Sequence, residues 1–130
     1  MTPDTKATLL ATLVASVISS LVTIMVNYIL QKKNEKERLN SRLDELLKIS
    51  IEYPYLESIY FTKTWKENCK NEDEKYRRYE NYATMVFNYL STVCAFFRYN
   101  ENKINDYLDI KNWIKHKDYW YHPKVHLSML

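Results

Sequence analysis

From Ala7 to Leu30 the chain reads ATLLATLVASVISSLVTIMVNYIL, 24 residues without one charged side chain. At about 1.5 Å per residue, a helix of that length reaches roughly 36 Å, enough to cross about 30 Å of bilayer hydrocarbon with some tilt. A cleaved signal would open on basic residues and close on a small-residue cleavage site. Here Asp4 offsets Lys6 and the exit is Asn27-Tyr28-Ile29-Leu30-Gln31, so a retained membrane anchor is expected.

The flanks give the orientation. Lys32, Lys33, Lys36 and Arg38 crowd the C-terminal side while Lys6 alone lies on the other, and an excess of Lys and Arg marks the cytoplasmic face. The expected layout is single-pass in a bacterial cytoplasmic membrane, N-terminus out. Residues 1–31 form the tail and span, and residues 32–130 a cytoplasmic domain that carries the whole net charge of +3. The basic cluster serves as a stop-transfer signal, and each such residue near an anionic surface adds about 1 kcal/mol of attraction.

The polar residues of the span are grouped. At about 100° per residue, Thr8, Thr12, Ser16, Ser19, Ser20, Thr23 and Asn27 fall within an arc of roughly 120°, interrupted by Leu9, Val26 and Leu30. Ala11, Ala15 and Ser19 add a ladder of small residues four apart, the spacing that lets two helix backbones approach closely. Three readings fit this stripe: hydroxyls that bond back to their own helix, a packing face in a homo-oligomer, or the lining of a water-filled pore made by several copies.

The remainder reads as all-α. The chain has no Gly and three Pro, which leaves few sharp turns and no glycine loop to cradle phosphates. Leu39, Leu43, Leu46 and Leu47 extend the first helix to about Ile51, and Pro54 stops it. A second helix is predicted from about Tyr55 to Cys69, followed by a polar loop through Glu72. A third runs from about Asp73 to Tyr99, with Tyr79, Ala83, Val86, Leu90, Val93 and Phe97 on one face, widened by Phe87 and Cys94. Asn100 to Asn105 reads as a turn and Asp106 to about Lys117 as a fourth helix, giving a bundle of three to four helices behind the span.

Chemistry is sparsely signalled. Twelve Tyr, three Trp and four Phe are expected mainly as core, and Tyr119-Trp120-Tyr121-His122 is the one run that resembles a stacking platform. The Lys residues alternate with Asp and Glu, so nucleic-acid binding is not expected. Cys69 and Cys94 read as thiols in a reducing compartment, and His116, His122 and His126 as part of a solvated C-terminal stretch without a third metal ligand. Asp44 with Glu45, and Glu72-Asp73-Glu74, belong to helix surfaces and starts. No nucleophile elbow, phosphate loop or zinc-protease motif is present, so the expectation is a protein that is not an enzyme and needs no cofactor.

The span, its basic exit, the long helix ending near Glu52-Tyr53-Pro54-Tyr55-Leu56, and the Tyr-rich helix before a Trp-containing tail ending in His122-Pro123 together resemble small single-span bacterial membrane proteins with a helical cytosolic domain. The layout also resembles the membrane-pore accessory proteins of type VI-B CRISPR systems, which implies oligomerisation and membrane depolarisation in phage defence. That family carries an Arg-x4-6-His signature, and Arg77, Arg78 and Arg98 have no His at that distance. The expectation is therefore a self-associating membrane protein whose cytoplasmic bundle receives a signal or protein partner, with a pore as its further role. The alternative is a monomeric anchor that tethers a cytosolic partner.

Overall fold

The computed structural model describes residues 2–68 and 73–121, and no strand occurs among them. Two compact units divide the chain, Met1–Arg38 and Leu39–Leu130. Helix α1 (Pro3–Glu52) supplies the described part of the first and the opening of the second.

In the first unit, residues 2–31 are exposed throughout, including Leu10, Leu13, Val17, Leu21 and Met25. It is the one helix among the described residues long and apolar enough to cross a membrane. An apolar surface left unburied forfeits about 1.5–3 kcal/mol per large side chain in water, a penalty that hydrocarbon surroundings remove.

The second unit is built on α3 (Glu74–Phe96), whose inward face carries Tyr79, Tyr82, Ala83, Val86, Tyr89, Leu90 and Val93, all buried. Asp73 caps it by accepting from the Lys75 backbone N–H at 3.1 Å, which satisfies one of the donors a helix start leaves open. Leu39 and Leu46 of α1 are buried in the same core, Leu43 is half-buried, and Leu47 faces outward. Trp65 of α2 (Ile59–Asn68) is fully enclosed and meets Tyr119 edge-on at 5.0 Å. The aromatic residues are thus mainly core, as their number predicts.

Pro54 ends α1 as predicted, but the chain does not enter α2 directly. A 3-10 turn over Pro54–Glu57 comes first, with Pro54 at its start, where the missing N–H has no bond to lose. Helix α3 also stops earlier than its periodicity predicts. Arg98 and Tyr99 take φ values of 52° and 59°, and the Tyr99 N–H closes on the Cys94 carbonyl at 2.8 Å. Glycine normally fills such positions at no steric cost. In a chain without glycine, two residues bearing side chains occupy them, at about 1–2 kcal/mol each.

The segment after that turn departs most from the sequence reading. The predicted turn at Asn100 to Asn105 is helix α4 (Glu101–Tyr107), because Asn100 caps it by accepting from the Lys103 N–H at 3.2 Å and Ile104 anchors it in the core. The predicted fourth helix is instead broken. Leu108 is extended, a 3-10 helix spans Ile110–His116, and a short α5 (Lys117–Trp120) follows. Cys69, Glu72, His122, Pro123 and His126, on which other expectations rested, lie outside the described residues.

Candidate functional site

The densest polar chemistry lies inside the second unit, around the Glu57 carboxylate. Glu57 closes the Pro54–Glu57 turn, and its Oε2 meets Lys115 Nζ at 2.8 Å while Oε1 lies 3.3 Å from His116 Nε2. The Tyr82 hydroxyl donates to the same Oε1. Lys115 Nζ also donates to the Glu57 carbonyl at 3.0 Å, so one ammonium holds both the side chain and the backbone of that turn. On the far side of the imidazole, His116 Nδ1 meets the Tyr79 hydroxyl at 2.9 Å.

His116 is completely buried, whereas the Glu57 and Lys115 side chains each keep 23% of their surface exposed. Burial alone would raise the Glu57 pKa. Hydrogen bonds from His116, Lys115 and Tyr82 outweigh it and hold the carboxyl down to about 2, from an ordinary 4.5. Burial pushes the Tyr79 and Tyr82 hydroxyls far above their usual range, with the Glu57 charge adding to both. Both phenols therefore stay protonated, and every member of the cluster has a hydrogen-bond partner. Among the described residues, no buried side-chain nitrogen or oxygen lacks a partner.

This arrangement is a clamp: it ties the Pro54–Glu57 turn and the Ile110–His116 helix to α3. Sequence reading assigned His116 to a solvated stretch, and the structure corrects that. The signal available in sequence was a spacing of three. Ile110, Trp113, His116 and Tyr119 recur at the 3-10 period, and the last three are buried.

The aromatic run beyond it is no open platform. Tyr119 is buried with its hydroxyl 2.6 Å from Thr84 Oγ1, and the Trp120 indole N–H donates to the Ala83 carbonyl at 2.9 Å, leaving Tyr121 exposed. A groove of about 220 Å³ lies elsewhere, between α1 and α3, lined by Arg42, Glu45, Leu46, Met85, Asn88 and Tyr89. Among the described residues, no three His, Cys, Asp or Glu side chains group as a metal site. Cys94 is a half-buried free thiol.

In the first unit, the polar stripe of the apolar helix divides into two kinds of residue. Thr8, Thr12 and Thr23 each return their hydroxyl to the carbonyl four residues back, to Asp4, Thr8 and Ser19, at 2.8–2.9 Å. Their hydroxyl protons are thereby occupied within the helix. Asn27 carries two amide donors and an acceptor that a single helix does not consume. At the exit, Lys32 Nζ stands over the Tyr28 ring at 5.8 Å. The basic residues 33, 36 and 38 are exposed and Lys32 is half-buried.

Comparison with models of protein families, with curated proteins and with solved structures finds no match.

Proposed function

We propose that this chain is a single-pass protein of a bacterial cytoplasmic membrane, N-terminus out, which self-associates through one face of its span and carries a helical domain on the cytoplasmic side. The observation that carries the reading is the ladder of small residues Ala11, Ala15 and Ser19 along an exposed face of the helix. Thr8, Thr12 and Thr23 have turned their hydroxyls to their own backbone, so the face presents low, internally satisfied side chains beside Ala11, Ala15 and Ser19. Such a surface lets a second helix approach closely, and dispersion contacts with a neighbour replace those with lipid. Asn27 supplies an amide that can bridge to another chain. The charge asymmetry from Lys32 to Arg38 supports the orientation.

Oligomeric state decides the matter. The full chain in mild detergent should run as a discrete oligomer by light scattering and crosslink in native membranes. Replacing Ser16, Ser20 and Thr23 together by Leu should preserve insertion, because apolarity rises, and should shift the protein to monomer. A parent chain that is monomeric in both settings would leave the simple anchor as the correct description. The pore that the resemblance implies is a further step: expression should depolarise cells only in the oligomeric form. Oligomers that leave the membrane potential unchanged would retain the packing face and discard the pore.

A further inference from the structure

We infer that Tyr28, Lys32, Lys33 and Lys36 form a binding face for anionic lipid headgroups. The inference rests on the membrane reading above and adds the ligand. All four residues lie on α1 within the first unit. At about 100° per residue, they cover an arc of roughly 140° whose centre lies about 150° from the centre of the Thr8 to Asn27 stripe. Tyr28 and Lys32 lie opposite the stripe, whereas Lys36 and Lys33 fall in line with Ala11 and Ala15 at its edge.

The local geometry is that of a membrane interface. Tyr28 is half exposed, an amphipathic ring at the end of the apolar run, and Lys32 lies one turn later with its ammonium over that ring. Lys36 follows after one more turn on the same line, and Lys33 flanks it. Arg38 lies on the opposite side of the helix. Glu35 and Glu37 fall outside the lysine arc, roughly 20° and 40° beyond its two ends, so its centre is cationic. Among the described residues, Lys33 and Lys36 enter no ion pair. Their methylene stems can lie along the apolar surface while the ammonium groups reach the phosphate level.

The test is lipid selectivity of the full chain reconstituted in phosphatidylcholine bilayers, read from the motionally restricted fraction of spin-labelled phosphatidylglycerol and phosphatidylcholine. The anionic probe should be preferred by about fivefold, which is what one lysine near an anionic surface supplies, and less at 0.5 M salt. Lys32→Gln, Lys33→Gln and Lys36→Gln together should bring the ratio to one. Lys36→Gln alone should lower it, whereas Arg38→Gln, with the same loss of charge on the other side, should leave it near the parent value. A parent ratio of one, or equal effects of Lys36→Gln and Arg38→Gln, overturns the assignment. Vesicle flotation of the same preparation separates the two levels: a chain that fails to float with lipid refutes the membrane reading itself, and one that floats with no selectivity refutes only the headgroup face.

Discussion

His116 Nε2 lies 3.3 Å from Glu57 Oε1 across 59 residues of sequence, and no other side chain of the cluster is so completely enclosed. The contact joins a turn just after the first helix to a 3-10 helix near the other end of the domain. Its energetic weight comes less from the pair itself than from what each group would lose without the other. Tyr79 would keep a buried hydroxyl without its partner, and Glu57 would lose a contact while remaining largely out of water.

His116→Leu should therefore destabilise the domain by about 2–3 kcal/mol, although it adds an apolar side chain to an apolar core. Urea unfolding of the full chain in detergent, followed by tryptophan fluorescence, measures this, because Trp65 and Trp113 are buried in the same unit. A change below about 0.5 kcal/mol would show that the clamp contributes nothing beyond packing.

The Glu57 carboxyl is held at about 2 in the folded state and returns to about 4.5 on unfolding. A folded pKa below the unfolded one means that the folded state sheds its proton first, so this contribution to stability is complete above about pH 4.5 and is lost as pH falls through 2. The midpoint of urea unfolding should drop across that window. In Glu57→Gln the domain should be weaker at pH 7 and the acid limb flatter. If parent and variant decline in parallel, other carboxyls govern acid unfolding.

Tyr99 holds a left-handed conformation and is 76% exposed, so little packing is at stake. Tyr99→Gly should stabilise the domain by about 0.5–1 kcal/mol, since relief of backbone strain exceeds the added freedom of the unfolded chain. Tyr99→Val should do the reverse, because a β-branched residue fits this region worst. The two variants should bracket the parent in thermal unfolding. The same order reversed would contradict the strain account.

Asn27→Leu is expected to be the most disruptive single substitution in the span, removing the one amide while making insertion easier. The oligomer fraction in membranes, measured by crosslinking, should fall further than for Ser16→Leu. Equal effects would locate the contact in small-residue packing alone.

Topology gives a separate check. A C-terminal reporter that works only in the cytoplasm should be active, and one that works only outside should be silent. The opposite result would reverse the charge argument and place Lys32 to Arg38 outside.

Periodicity made α3 legible, because Tyr79, Ala83, Val86, Leu90 and Val93 repeat at helical spacing over several turns and all five are buried. The long apolar N-terminal helix was equally plain, since an uncharged run of that length needs no partner to interpret it. Helix α4 was harder to see: ENKINDY offers a single apolar anchor, Ile104, and is fixed by the Asn100 cap instead of a hydrophobic face. The clamp was hidden for a different reason. A histidine between two lysine-bearing turns looks solvated until a 3-10 spacing of three aligns it with Trp113 and Tyr119, and its partners Glu57 and Tyr79 lie 59 and 37 residues away.

The place of Tyr119 against Trp65 also sets a schedule for the ribosome. Trp65, Leu56 and the inward face of α3 leave the tunnel well before the Ile110–His116 helix and α5 that help to cover them. At about 5–20 residues per second, the nascent chain carries that uncovered surface for roughly 3 to 11 s. The hazard in this design falls on the half-made protein, where chaperone access and translation speed, more than the strength of any finished contact, govern how much of the domain is lost to aggregation.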